Sequence, residues 1–226
     1  PTLEGSSFFG LPGLLADSLP DKFGNAVLES YLAKTGRTLA EISAVERLLY
    51  MGNRGMGAIE YEPAEELVNS DTQLDINALS SVANSILDSR ENFKTSLSQE
   101  GLENIFSVGT SAGGARAKAV IAINAATGEI RSGQVDTKAG FEHWIVKFDG
   151  ITKNKDKCSR YDPLAYTRIE YAYKLMAKDS GIDINESRLY ESEGHYHFMS
   201  KRFDREDKDK IHMQTLGALA HLDFNQ

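Results

Sequence analysis

The sequence predicts an α+β fold: an antiparallel sheet carrying one helix, preceded by a mainly helical stretch over residues 1–103. Three observations lead there. Apolar residues between 21 and 93 recur at spacings of three and four, the period of a helix with one buried face. From 104 to 205, short β-prone runs alternate with tight turns, and most have an adjacent hairpin partner. Only one strong helical run interrupts them, which favours hairpins over parallel crossovers.

Taken in order, residues 1–20 are rich in Gly, Ser, Pro and Leu without a period, and read as an irregular lead-in. Asp21 is a good helix N-cap; Phe23, Val27 and Tyr31 share a face behind it, and Gly36 supplies the stop. Thr38 and Glu41 are spaced as a capping box, ahead of an apolar stripe of Ile42, Val45, Leu48 and Leu49 that ends at Gly52. Residues 52–57 are a glycine-dense turn, and 58–62 alternate as a short strand closed by Pro63. A third helix is expected from Asp75 to Phe93, with Leu79, Val82 and Ile86 inward. Residues 105–108 form a short β-prone run before the small, polar stretch 109–118. Residues 119–123 read as a buried strand, turned at 126–129 into a partner, and 143–148 as the next strand. Asp162 and Pro163 set an N-cap with proline at the first helical position, opening a helix through Ile169, Leu175 and Met176 to Gly181. Residues 188–191 and 195–203 pair as a hairpin turned at Glu193-Gly194; 204–210 are a mixed-charge exposed segment, and 213–222 are weakly helical. The expected divisions are an N-terminal extension (1–103), a sheet-and-helix unit (104–205) and an exit segment (206–226).

Composition narrows the function. With 25 Lys+Arg against 33 Asp+Glu the net charge is −8, which argues against a whole-surface grip on nucleic acid and leaves only local basic patches. No apolar run reaches the ~18–20 residues that span a bilayer, so no membrane association is expected. The start lacks both a Met and the layout of a signal peptide. The single cysteine, Cys158, has no internal disulfide partner, and a cytoplasmic location is expected.

The stretch 109–118 is the most informative. Three glycines and several small residues let backbone N–H groups approach an anion closely. It is not a P-loop, because Ala115-Arg116 stands where Lys-Ser/Thr would follow, and it is not G-x-G-x-x-G. A strand with a central lysine follows: Lys147 lies between Val146 and Phe148, and a lysine there needs a partner. Glu170, 23 residues on, lies in the next helix. Glycine loop, strand lysine, helix glutamate is the order used by protein kinases. The alternative is a plain turn, an edge-strand lysine in solvent and a surface glutamate.

These residues resemble one family in particular. Ser111-Ala112-Gly113-Gly114-Ala115-Arg116-Ala117-Lys118 is similar to the SxGGARPK loop of HipA-type serine/threonine kinases, the toxins of HipBA toxin–antitoxin pairs. Leu11-Pro12 through Asp17-Ser18-Leu19-Pro20-Asp21, Gly52 to Ala58, His143 to Phe148 and Lys201 to Arg205 match further family segments in order. The resemblance implies a protein-kinase-like small lobe behind an N-terminal extension, with the C-terminal kinase lobe largely absent. It implies that Ser111, Ala112, Gly113, Gly114, Ala115 and Lys118 cover the phosphates of ATP, brought with Mg²⁺, and that Lys147 contacts them with Glu170 as its helix partner. Backbone groups of Lys201 and Phe203 would hold adenine at the hinge, with Asp204 near the ribose. Ser111 falls at the family's autophosphorylated serine; Thr110 and Ser107 are competing acceptors. The implied partners are a HipB-like DNA-binding antitoxin, through which DNA is reached only indirectly, and a protein substrate of the translation machinery. Ala117 replaces the family's proline.

The family's catalytic loop and metal-binding Asp lie well past the hinge, whereas this sequence ends 21 residues after Arg205. A catalytic Asp is therefore expected beyond Gln226, with no catalytic or metal-binding residue among these 226. The His221–Asn225 stretch is rejected as that loop. A second reading is a non-catalytic half-kinase module that binds an antitoxin or nucleotide. Weaker features are His195 and His197 on one strand face, expected as exposed hairpin histidines, and the basic cluster 153–160 around Cys158.

Overall fold

The computed structural model describes residues 7–64, 73–89, 97–134, 139–151, 165–206 and 209–222. Helices α1 (Gly13–Ala16), α2 (Lys22–Lys34), α3 (Ala44–Met51), α4 (Ile76–Ser89) and α5 (Gln99–Gly109) precede strands β1 (Lys118–Asn124), β2 (Ile130–Ser132) and β3 (Phe141–Lys147). Helix α6 (Tyr166–Asp179), strands β4 (Ser187–Ser192) and β5 (His195–Lys201), a short hairpin of β6 (Arg205–Glu206) and β7 (Asp209–Lys210), and α7 (Leu216–Ala220) follow. The main sheet has the order β2-β1-β3-β5-β4, and every pairing in it is antiparallel. The α+β expectation holds.

Alternation along the strands gives this sheet two different faces. Ala119, Ile121 and Ile123 of β1, Trp144 and Val146 of β3 and Met199 of β5 point into one buried cluster with α2, α4 and α5. Helix α5 packs on β1 and on both α2 and α4. The expected division at 103/104 falls inside α5. The opposite face carries Lys118, Val120 and Ala122 of β1, His143, Ile145 and Lys147 of β3, and Phe198 of β5. Helix α6 packs against β4 and β5, and its Glu170 reaches Lys147 on this second face.

Several expectations are corrected. Residues 105–108 are not a strand but the last turns of α5. Leu102, Ile105, Phe106 and Gly109 follow helical spacing and are all buried, which a four-residue apolar window cannot reveal. Residues 58–62 form no strand; the Tyr61 N–H turns back to the Gly52 carbonyl at 3.1 Å. The Thr38–Glu41 box closes a single 3-10 turn (Leu39–Glu41), and a second box, Ser43 with Glu46, opens α3. Val45 is consequently exposed while Tyr50 and Met51 are buried. The lead-in contains the short helix α1. The segment 204–210 is not uniformly exposed: Asp204 is 1% exposed. Helix α6 leaves Ile169, Leu175 and Met176 exposed, and Thr167 is its buried residue. Phe93, Asp162 and Pro163, Cys158 with its basic cluster, and Asp223–Asn225 lie outside the described residues.

Helix α2 meets the end of α5 at Gly24, where a Cβ would stand 2.5 Å from the Thr110 carbonyl oxygen and 3.0 Å from Pro20. In an exposed helix, Gly→Ala stabilises by roughly 0.5–1 kcal/mol. Here the close approach to backbone reverses the sign. Gly24→Ala is expected to destabilise the protein by about 1–3 kcal/mol, as overpacking does, read as a lower midpoint of urea unfolding.

Candidate functional site

The β1–β3 register sets Lys118 directly opposite Lys147 on the second face of the sheet. Cross-strand partners stand about 5 Å apart at Cβ, and facing like charges repel, so each ammonium needs its own counter-group. Lys147 Nζ donates to Glu170 Oε2 at 2.7 Å, with both side chains about one-third exposed (33% and 28%). Its Nζ also lies 5.7 Å from the Phe198 ring centroid. Lys118 is buried and donates to the Gly113 carbonyl at 2.6 Å. The expected pairing of Lys147 with Glu170 is thus present in the geometry.

Gly113 and Gly114 form the middle of the loop between α5 and β1. Gly114 adopts φ +103°, and a Cβ there would sit 2.9 Å from Lys118 Nζ. The Gly114 N–H donates to Asp21 Oδ2 at 2.5 Å. At the loop's start, Thr110 Oγ1 donates to the Phe106 carbonyl, and the Ser111 hydroxyl accepts from the Gln134 side-chain amide. Ala112 and Ala117 are buried. At its end the Arg116 guanidinium lies 3.5 Å over the Tyr166 ring at the start of α6, and the Phe148 N–H donates to Ala117 O at 3.2 Å.

Two concavities flank this loop. Lys147, Glu170, Arg116, Asp149 and Tyr166 line a small cavity of about 20 Å³, room for roughly one water. On the other side, Ser111 and Gly113–Ala115 border an open groove of about 800 Å³ shared with Asp21, Met56 and Met213. That volume lies within the usual range of ligand clefts.

The hinge residues stand apart from the lysines. Lys201 pairs with Trp144, three residues along β3 from Lys147. Its backbone N–H donates to Glu186 O, and its ammonium is held by Glu142, which raises the Lys201 pKa. Phe203 is 59% exposed. Asp204 is enclosed: its carboxylate accepts from Arg202 at 2.8 and 2.6 Å, Arg205 at 3.0 Å and the Gly57 N–H at 2.7 Å. Burial pushes the Asp204 carboxyl up, but the hydrogen bonds and charge of Arg202, with Gly57 and Arg205, outweigh it and hold it below the ordinary range. Burial pushes the Arg205 guanidinium down to about 10.

Sequence reasoning missed two members of the site. Gln134 reaches Ser111 from 23 residues away and had no local signal. Asp21 reads as an N-cap and as the end of a family segment, with no link to the loop, and its carboxylate makes no cap hydrogen bond. Of the hairpin histidines, His195 is exposed as expected, but His197 is fully buried, its Nδ1 accepting from the Asp149 N–H at 3.1 Å. Burial, then the nearby His195, pushes its pKa down to about 4. Among the described residues no group of three or more His, Cys, Asp or Glu side chains is placed to hold a metal ion.

Comparison with known proteins adds the following. The HipA-like C-terminal domain model matches residues 110–226, more than half of the chain, and the HipA N-terminal domain model matches residues 3–62. No curated protein matches. A solved chain from the Shewanella oneidensis MR-1 toxin–antitoxin complex of HipA, HipB and operator DNA is similar at 17% identity, with a TM-score of 0.47. The match covers 90% of this chain and 42% of that one, so this chain spans less than half of that relative's length.

The partial exposure of Lys147 and Glu170 limits their value for stability. A double-mutant cycle with Lys147→Met and Glu170→Gln is expected to give a coupling of at most about 1 kcal/mol in urea unfolding. His197 behaves differently, because its folded pKa lies below its unfolded one. The unfolded chain then binds more protons, so stability is full at neutral pH and falls as pH drops from about 6.5 towards 4. For His197 alone the loss is of order 3 kcal/mol, and His143, which burial also lowers, adds to it. Unfolding titrations at pH 7 and 4.5 should show it, and His197→Leu should remove most of the slope.

Proposed function

Because the chain belongs to the HipA family, we propose that it binds ATP with its glycine loop and facing lysines, as the nucleotide-holding part of a HipA-type serine/threonine kinase. One observation carries this reading: Lys118 and Lys147 are cross-strand partners on β1 and β3, with Lys118 reaching the Gly113 carbonyl of the glycine loop and Glu170 holding Lys147. Two lysines on one face of the sheet, next to a loop rich in backbone donors, suit a polyphosphate better than any neutral ligand.

In this reading Lys147 takes the α/β phosphates, Glu170 orients it, and Ser111, Ala112, Gly113, Gly114 and Ala115 cover the phosphates from above. The groove beside the loop is large enough for a nucleotide, whereas the 20 Å³ cavity at Lys147 is not. Binding therefore requires Arg116 or the loop to shift. The residues suit the triphosphate but not a resident metal. Asp149 and Glu170, the carboxylates lining the cavity, already accept from the Tyr196 N–H and Lys147. Mg²⁺ would arrive with ATP. Phosphoryl transfer also needs an Asp to position the hydroxyl and further metal ligands, which the family resemblance puts well past the hinge. Phosphorylation of Ser111 would add about −1.5 to −2 charge beside those donors and oppose ATP binding. Adenine would reach the backbone of Lys201 and Phe203. The enclosed Asp204 is read as a brace of the hinge rather than a ribose contact.

The family suggests a HipB-like DNA-binding antitoxin as partner and a protein of the translation machinery as substrate of the complete kinase. A second reading, a non-catalytic module that captures the antitoxin, is favoured by the apolar residues Ile169, Tyr173 and Met176 that α6 leaves exposed.

Calorimetric titration with ATP tests the first reading. The wild-type chain should bind ATP, and Lys147→Ala should weaken it at least about tenfold, the loss of a charge-assisted contact, while leaving the melting temperature nearly unchanged. Absence of ATP binding, or affinity indifferent to Lys147→Ala, would sink it. Stoichiometric capture of a HipB-like antitoxin without ATP binding would favour the second.

A further inference from the structure

Helix α2 begins at Lys22 with Asp21 as its N-cap, and Asp is among the best residues at that position because its carboxylate can take the free N–H groups of the first turn. Here it takes none of them. Its Oδ2 instead accepts the N–H of Gly114, 93 residues away in the glycine loop. On the other side, Lys118 Nζ donates to the Gly113 carbonyl. The Gly113 C=O and the Gly114 N–H are the two ends of one peptide group. That single peptide is clamped between a carboxylate and an ammonium, each polarising it in the same sense.

Both clamping groups stand close over the peptide. A Cβ on Gly113 would lie 3.1 Å from Asp21 Oδ2, and one on Gly114 would lie 2.9 Å from Lys118 Nζ. The same helix also grips the loop's start, where Gly24 is pressed against the Thr110 carbonyl. Asp21 and the clamped peptide both line the open groove, so a polyanion can reach them. A carboxylate oxygen on a backbone N–H occupies the place a phosphate oxygen would take.

We propose that Asp21 is a resident anion that latches the glycine loop: it holds the Gly114 N–H that an incoming phosphate must win, while the Gly113 carbonyl engages Lys118. The inference rests on the nucleotide reading and adds its regulation from the N-terminal extension. Polyphosphate binding displaces the Asp21 carboxylate and frees the loop from α2. A ligand with one phosphate replaces one contact, whereas a triphosphate offers several oxygens to the N–H groups of the loop along the groove. The latch therefore favours the triphosphate.

The test compares wild type with Asp21→Ala, Asp21→Asn and Asp17→Asn. Asp17 is the control: it lines the same groove, but its carboxylate accepts from Thr215, not from the loop. Two quantities are read: amide hydrogen exchange over residues 110–117 without ligand, and calorimetric affinity for ATP and for inorganic tripolyphosphate. Asp21→Ala is expected to speed exchange in the loop and to tighten both ligands about five- to tenfold, the net scale of one hydrogen bond at an exposed site. Asp21→Asn should fall between, and Asp17→Asn should match wild type. Unchanged loop exchange overturns the latch, as does weaker binding by Asp21→Ala, which would make the carboxylate a support rather than a competitor. Equal tightening by Asp17→Asn overturns it too, since net charge alone would explain the gain. If wild type binds ATP and Asp21→Ala does not improve it, the latch alone fails. If no variant binds either ligand, the nucleotide reading fails and the latch with it.

Discussion

Two lysines paired across neighbouring strands set the terms for everything around them. The register of β1 and β3 is fixed by their core face, where Ala119, Ile121, Trp144 and Val146 are fully buried. A shift of one residue would exchange that face for the other. The register in turn forces Lys118 against Lys147. Neither charge is cheap to keep so close to the core, and the surrounding elements are arranged to answer them. Helix α6 contributes a carboxylate and the glycine loop a carbonyl. The N-terminal extension contributes a second carboxylate that grips the far side of the same loop peptide.

The two faces of the sheet explain what could be read from the amino acids alone. The core face obeys periodicity, so β1, β3 and the β4–β5 hairpin lie where alternation and the Glu193-Gly194 turn put them. Helix α5 was misjudged because its last four residues are all apolar or small. Only the longer pattern from Leu102 to Gly109 distinguishes a buried helix from a strand there. The short box at Thr38 signals a helix start and does cap a turn, but Ile42 leaves helical geometry and Ser43 starts again. Local chemistry marked the punctuation correctly and misassigned its length.

The site shows the same division. Lys147 and Glu170 were legible because a lysine inside an apolar strand demands a partner and the next helix offers one. Lys118 was legible only as part of a loop motif; its burial follows from register, a tertiary fact. Asp21 and Gln134 reach the loop from 93 and 23 residues away, and no spacing rule links them to it. Asp204 looked like one charge in a solvated run. It is the centre of a buried network because Arg202 and Arg205 fold back on it and Gly57 arrives from the extension.

That last network bears on how such a protein can be cut and recombined. Arg205 also donates to the carbonyls of Gly55 and Gly57, and Lys210 to that of Asn53, so one short stretch after β5 reads the backbone of a turn about 150 positions earlier. Backbone atoms carry no side-chain identity, and what they demand is shape. A chimera that grafts a foreign sheet onto this extension can therefore vary most of the seam freely. It must inherit Arg202, Asp204 and Arg205 together with the glycines of the turn, as one indivisible cassette.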